Sequence, residues 1–303
     1  MARIAYTDPN FRGTSLDIIE QADRIAVAYA RQGYTLTLRQ LYYQFVARDL
    51  LPNKEQSYDK LGRLVSEARL AGLIDWDHIV DRTRSSEGVP HWDSPQAIMD
   101  AVASQFRIDK WEGQRNRPEV WVEKEALVDV VATPAKRHDL RWFACRGYAS
   151  QSSQHEAAMR FVEMIEAGQH PVILHLGDHD PSGVDMTRDI TDRINLFVEH
   201  HTGERVEVQR LALNMDQIRR LNPPPNPAKM TDSRAGEYVA RYGYQSWELD
   251  ALDPPAIDAI VTKAVEALRD DGPWSEAVEN EDEQRRLLAA VSEQWDRVVE
   301  TLE

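Results

Sequence analysis

Cysteine is nearly absent: Cys145 is the only one in 303 residues, which excludes an internal disulfide framework and any multi-cysteine zinc site. No apolar run approaches the roughly 20 residues of a membrane span. Met1 is followed by Ala, Arg and Ile, not by a basic stretch running into an apolar one, so no leader is expected and a reducing cytoplasm is the default. The phosphate-cradling pattern GxxxxGKS/T does not occur, and internal repeats and low-complexity tracts are lacking. Aromatic residues make up only 8% of the chain.

What is present is a globular composition, 42% hydrophobic and 29% charged. At roughly 100 to 200 residues per domain, the length suggests two domains, each able to bury a core without staples. Charge is segregated. The chain carries 36 basic and 51 acidic residues for a net charge of −15, yet residues 1–118 hold 16 of each sign. Residues 246–303 hold 5 basic and 16 acidic residues, net −11. That end reads as a solvated acidic helical face or a partner-facing element, and DNA is expected to avoid it.

Apolar residues Ile18, Ile19, Ala22, Ile25, Ala26 and Tyr29 recur at helical spacing and predict a helix over 15–32, with Thr14 and Ser15 available as caps. Thr37 then opens a second apolar stripe of Leu38, Leu41, Tyr42, Phe45 and Val46, ending near Pro52. A third helix is expected over 57–71, with Arg63 and Arg69 pointing outward. Residues 73–84 alternate roughly as a strand or wing, with Trp76, Ile79 and Val80 packed and Arg82 and Arg84 at the end. Three short helices and a small ribbon form a winged-helix pattern, which commonly lays one helix in a DNA groove. Arg63, Arg69, Arg82 and Arg84 are its candidate DNA contacts, although zero net charge withholds the usual electrostatic support. Many small helical domains without a nucleic-acid partner share this order of elements.

A helix is expected over 94–106, followed by a polar linker, DKWEGQRNR, so the domain boundary falls near residue 110. Beyond it, short apolar runs at 119–122, 140–145 and 171–176 alternate with helical segments near 125–136, 152–167 and 183–199. A further strand, VEVQRLAL, follows. Strands separated by helices imply a parallel α/β sheet. The proline-rich NPPPNPAKM is expected to be an extended surface loop. Lys229 and Arg234 lie in or just after it, where they could reach DNA or simply be solvated.

Chemistry in such sheets collects at strand ends. Glu123 follows the first strand, and Gly177, Asp178, His179 and Asp180 follow the third. Asp178 and Asp180, two apart, project to one side if strand geometry persists. Three hard oxygen donors suit Mg²⁺, which keeps several waters and needs only one or two carboxylates plus a phosphate, so the three could hold one ion or two. Gly183 in the DPSG turn permits close approach, and Asp185 is a possible outer ligand. The plainer alternative is that these carboxylates are turn and helix-cap residues. Likewise, Tyr42 and Tyr43 on an amphipathic helix suit packing. His155, His175 and His179 lie near the strand ends, with His175 buried and His179 pointing away. Cys145 sits in an apolar strand without thiol-activating partners.

VEKEAL, CRGYAS and LGDHDPSG, in that order, resemble a Toprim domain, the metal-binding α/β module of topoisomerases, primases and some nucleases. Upstream, TLRQLYY is similar to a motif in the winged-helix domain of the topoisomerase VI A subunit and of its relative, the meiotic double-strand-break transesterase. WELDAL at 247–252 is similar to a motif that follows that family's Toprim core. The resemblance runs from about residue 30 to 255. It implies an α/β Toprim domain (111–303, Rossmann-like parallel sheet, with the acidic helical end) preceded by a mainly α winged-helix domain (1–110). It also implies Tyr43 as the DNA-attacking nucleophile, Arg39 steadying the scissile phosphate, and Glu123 in proton transfer or metal binding. Asp178 and Asp180 would hold Mg²⁺, and Glu248 would be an acidic residue of unassigned role. A phenol, with a pKa of about 10, needs a nearby cation or base to attack at neutral pH. In that family, tyrosine and metal site come from opposite protomers, so a homodimer on double-stranded DNA is implied. Strand passage would need a separate ATPase B-type subunit.

The chain departs from the family in its shorter length and in GYAS, where Gly-x-Pro is usual. Three functions follow as expectations. The first is Mg²⁺-dependent DNA cleavage by tyrosine transesterification. The second is a hydrolytic Toprim nuclease. The third is a noncatalytic DNA-binding or recombination accessory protein. A primase is disfavoured, since a winged-helix domain with a tyrosine pair precedes the Toprim motifs and no cysteine-based zinc site exists. The expected setting is the nucleoid of a bacterial or phage-infected cell, with no membrane partner.

Overall fold

The computed structural model describes residues 3–80, 89, 91–145 and 149–302. Helix α1 (Thr14–Ala30) starts after Gly13, whose φ of 52° ends the preceding chain. Thr14 and Ser15 therefore fall inside the first turn and do not cap it. Its apolar face buries Ile19, Ala22, Ile25, Ala26 and Tyr29. Helix α2 (Leu38–Ala47) opens on a capping box: Gln40 N donates to Thr37 Oγ1 at 3.2 Å, and Thr37 N donates to Gln40 Oε1 at 2.8 Å. Helix α3 (Glu55–Leu70) closes the three-helix core, with Leu61, Leu64, Val65 and Ala68 inward.

The expected wing is not formed by the described residues. Over 73–80 the only pairing is a single parallel bridge, Leu36 to Ile79, with Val80 N donating to Leu36 O at 2.9 Å. Ile79 is buried as expected, but Trp76 is 40% exposed. The Arg69 guanidinium stacks 4.7 Å from the Trp76 ring centroid, and its nitrogens donate to the carbonyls of Trp76 and Ile79. Arg69 thus turns inward to tie the end of α3 to this segment. Arg82 and Arg84 lie outside the described residues.

Helix α4 (Pro95–Gln105), N-capped by Ser94, leads to the polar stretch expected to be a linker. That stretch is instead knitted into the body. Trp111 is 2% exposed, and its indole nitrogen donates to His138 O at 2.8 Å. Gln114 exchanges two hydrogen bonds with the backbone of Asp270, at 2.7 and 2.8 Å. The polarity read as solvation serves buried backbone groups at element ends.

The sheet follows: β1 (Asn116–Val122), a 3-10 turn Glu125–Leu127, α5 (Val128–Arg137), β2 (Arg141–Ala144), α6 (Gln151–Glu166), β3 (His170–Leu176), α7 (Pro181–Thr202) and β4 (Glu207–Ala212). The strands are all parallel in the order β2-β1-β3-β4, a Rossmann-like α/β arrangement. Both faces of the sheet are covered, which is why the strands read as continuous apolar runs. Beyond β4 lie α8 (Met215–Leu221), β5 (Asn226–Pro227), α9 (Ala235–Tyr242), β6 (Gln245–Ser246), a 3-10 turn Leu249–Ala251, α10 (Pro254–Leu268), α11 (Asp271–Glu293) and α12 (Trp295–Leu302). One face, with Val120, Val122, Leu174 and Leu176, packs with Val131 of α5 and Ile257 and Val261 of α10. The other, with Trp121 and Ile173, packs with Phe161 of α6 and Ile190 and Ile194 of α7. The proline-rich loop is not wholly irregular: Asn226 and Pro227 pair antiparallel with Ser246 and Gln245.

The helical module docks on the sheet module through Tyr34, whose hydroxyl donates to Asp258 at 3.1 Å, and through Asn53, which donates to Asn226 at 2.9 Å. Helix α4 lies against α11, where Ser292 Oγ donates to Asp100 and Gln96 donates to Ser292 O. Among the described residues, no helix is long and apolar enough to cross a membrane.

Candidate functional site

The two central strands end side by side, Val122 paired with Leu176, so whatever follows each is brought together. Glu123 N donates to Leu176 O at 2.9 Å, and Asp178 N donates to Glu123 Oε2 at 2.8 Å. The glycines of the GDHDPSG turn make room for this carboxylate. A Cβ on Gly177 would lie 2.9 Å from Glu123 Oε2, and one on Gly183 would lie 3.0 Å from it and 2.3 Å from Asp178 O. Asp180 is the N-cap of α7, its Oδ1 accepting from Gly183 N at 2.6 Å. It fills the cap role and still lines the same cleft as Glu123 and Asp178.

Three neighbours that the sequence reading passed over organise this corner. Lys124 Nζ meets Asp178 Oδ2 at 2.9 Å, Glu248 Oε2 at 2.8 Å and Asp250 Oδ1 at 2.9 Å. Asp178 Oδ1 accepts from Leu249 N at 2.8 Å. Arg210, on β4, donates to the carbonyls of Asp178 at 2.6 Å and Gly183 at 2.8 Å, bracing the turn from behind. Lys124 and Asp250 lie inside VEKEAL and WELDAL. The two-residue spacing of Glu248 and Asp250, the same as that of Asp178 and Asp180, was the available signal. Arg210 carried none.

Helix α2 brings Arg39 and Tyr43 to the same cleft, a cavity of about 820 Å³. Arg39 Nη2 lies 2.8 Å from Glu248 Oε2 and its Nε 3.3 Å from Asp250 Oδ2. Tyr43 is 3% exposed, and Asn226 Nδ2 donates to its hydroxyl at 3.3 Å. Tyr42 faces the α2–α3 connection, its hydroxyl accepting from Lys54 N at 2.8 Å. Tyr43, Arg39, Glu123, Asp178, Asp180 and Glu248 therefore meet within a single chain.

The electrostatics follow from burial and charge count. Burial, then Asp178, pushes the Glu123 carboxyl up to about 7. Burial raises Asp178 to about 6 against the opposing pull of Lys124. Burial would also raise Glu248, but Lys124 and Arg39 outweigh it and hold the group down at about 2. Lys124 is kept charged: burial opposes its charge, and Asp250, Asp178 and Glu248 overcome that. Burial, then Glu248, raises the Tyr43 phenol to about 12.

Other expected residues fall elsewhere. Asp185 pairs with Arg188 at 2.7 Å and Arg234 at 3.1 Å, and Arg234 also pairs with Asp232. Lys229 is exposed at the cleft rim, and Arg63 is exposed on α3. His179 points away from the cleft, its Nδ1 2.8 Å from the Tyr238 hydroxyl. His175 is buried in β3 beside Thr187, and His155 packs edge-on against Phe197. Burial, then Glu123, raises the Cys145 thiol to about 12, which leaves it inert. Residues 146–148 of CRGYAS lie outside the described residues.

Among the described residues, no three His, Cys, Asp or Glu side chains already converge as a metal cage. The donor set nevertheless fits a hard divalent cation: all donors are carboxylate oxygens, and one of them, Asp178, already faces a positive charge, the Lys124 ammonium. No protein-family model matches the chain, and no curated protein matches it significantly.

Proposed function

We propose that this protein is a Mg²⁺-dependent DNA strand-cleaving enzyme of the kind its Toprim and topoisomerase VI A resemblance implies. The observation that carries this reading is the shared cleft, in which α2 presents Tyr43 and Arg39 to the strand-end carboxylates Glu123, Asp178 and Asp180. Those three carboxylates would hold the ion. A bound Mg²⁺ supplies charge neutralisation on a phosphate and helps deprotonate the attacking group.

In transesterification, the Tyr43 oxygen bonds to phosphorus while a deoxyribose oxygen leaves. The phenolic proton is lost and the leaving oxygen gains one. Glu123 would serve either as a ligand of the ion or in that proton transfer; burial and Asp178 push it up to about 7 in the absence of an ion, and a bound Mg²⁺ would draw it back toward the carboxylate form. Arg39 sits where it can neutralise the phosphate, once it exchanges Glu248 and Asp250 for that anion. Double-stranded DNA is the substrate, a homodimer is the proposed assembly, and ATP-dependent strand passage belongs to a separate subunit.

One observation favours a second reading, hydrolysis with water as the nucleophile: Tyr43 is almost wholly buried and its phenol is pushed up to about 12. The two readings separate on supercoiled plasmid with Mg²⁺, quenched with detergent and compared with and without proteinase. Transesterification predicts protein-linked breaks that disappear in both Tyr43→Phe and Asp178→Asn. Hydrolysis predicts free nicked DNA that disappears only in Asp178→Asn. Plasmid left intact by the wild-type protein, alone and with a candidate ATPase subunit, overturns both.

A further inference from the structure

The cleft holds more carboxylates than a single ion requires, and they fall into two sets. On one side, Glu123 Oε2 takes the Asp178 N–H, and Asp180 caps α7. On the other, Asp178 Oδ2, Glu248 Oε2 and Asp250 Oδ1 surround Lys124 Nζ at 2.8–2.9 Å. An ammonium has three hydrogens to donate, and here three carboxylates accept them. Asp178 and Asp250 are buried, and Lys124 itself is largely enclosed. Arg39 closes the outer side of the same pair of acids, Glu248 and Asp250.

Three carboxylate oxygens around one positive charge have the organisation of a cation site, at the spacing of an ammonium and not at the roughly 2.0–2.1 Å of Mg²⁺. In two-metal phosphoryl-transfer sites the second ion serves as a fixed positive charge beside the reacting phosphate. A tethered ammonium supplies that charge without dissociating. Its donors point at fixed acceptors, so the carboxylates stay assembled whether or not metal is bound.

We propose that Lys124 is the built-in second cation of this site, so that each chain takes one divalent ion, held by Glu123 and Asp180 with Asp178 shared between that ion and the lysine. The proposal rests on the metal-site reading given above. It assigns Glu248 and Asp250 to the lysine and not to the metal. Lys124 acts as a positioning residue.

Counting bound Mn²⁺ by equilibrium dialysis and titration calorimetry tests it without any need for turnover. The full-length wild-type chain is expected to bind one ion, Lys124→Met two, and Lys124→Arg, which keeps the charge, one. Two ions on the wild type overturn the proposal, as does a count that stays at one in a folded Lys124→Met. No ion on the wild type but one on Lys124→Met also overturns it, because the lysine would then occupy the only metal position. No ion on either protein removes the metal-site reading itself. A second pair of variants does not depend on the folding of Lys124→Met. Glu248→Gln is expected to keep the single ion and Asp180→Asn to weaken its binding at least tenfold; the reverse pattern overturns the assignment.

Discussion

Gly183 is where a single missing carbon matters most. An alanine methyl there would sit 2.3 Å from Asp178 O and 3.0 Å from Glu123 Oε2, contacts that neither backbone nor carboxylate can absorb without moving. Gly183→Ala is expected to cost about 1–3 kcal/mol, read as a lower urea midpoint, and to weaken Mn²⁺ binding; unchanged stability and binding would show that the turn is not close-packed against the carboxylate. His175 shows the opposite kind of constraint. Burial, then Arg210, drives its imidazole down to about 3 from 6.5. The unfolded chain therefore binds the proton more readily between those values. Stability from this group is present above the unfolded value and is lost as pH falls toward 3. Folding free energy is expected to drop by roughly 2 kcal/mol from this group between about pH 8 and about pH 5. His175→Gln should flatten that part of the pH profile in urea melts, and an equally steep profile in the variant would refute the assignment.

At the scale of elements, α2 decides whether the cleft is complete. The capping box fixes its first turn, and the helical period then places Leu41 and Phe45 in the core while Arg39 and Tyr43 line the cleft. Thr37→Ala removes the side-chain half of the box and is expected to cost about 1 kcal/mol, measurable as a fall in Tm. DNA cleavage by this variant should suffer more than its stability, because fraying at Leu38 displaces Arg39 from Glu248 and Asp250. The sheet contributes through register. Val122 opposite Leu176 is what sets Glu123 against Asp178, and a slip of one residue by either strand would turn its carboxylate away from the other.

At the scale of the whole molecule, the helical module and the sheet module share the site. Asn226, within the proline-rich loop, donates to both Tyr43 and Glu248, each at 3.3 Å. The family resemblance implies tyrosine and metal on opposite protomers, whereas within this one chain they already line one cleft. A site working within one chain predicts that a mixture of Tyr43→Phe and Asp178→Asn proteins, denatured and refolded together, forms no protein-linked DNA. Protein-linked breaks in the mixture, absent from either variant alone, would mean that the working site spans two chains. The acidic end contributes Glu248 to the cleft, while the net −11 of residues 246–303 is carried mostly by α10, α11 and α12.

The strand runs, the helices between them and the carboxylates at strand ends were legible in the sequence, because side-chain period and turn chemistry are local properties. Glu123, Asp178 and Asp180 could be picked out for that reason, and so could the inward-facing His175. The linker near 110 misled, and so did the described part of the expected wing at Trp76, because alternation and polarity do not say what a segment packs against: Trp111 stands in that polar stretch and is core, while Trp76 was expected to be packed and is 40% exposed. Sequence order could not reveal that Lys124, Asp178, Glu248 and Asp250 form one cluster, for they come from three separate segments: β1 and β3 end at the same edge of the sheet, and the antiparallel bridge of Trp247 to His179 brings Glu248 and Asp250 to them. The placement of Tyr43 and Arg39 in the same cleft was likewise decided by tertiary structure, since it depends on how one module docks on the other.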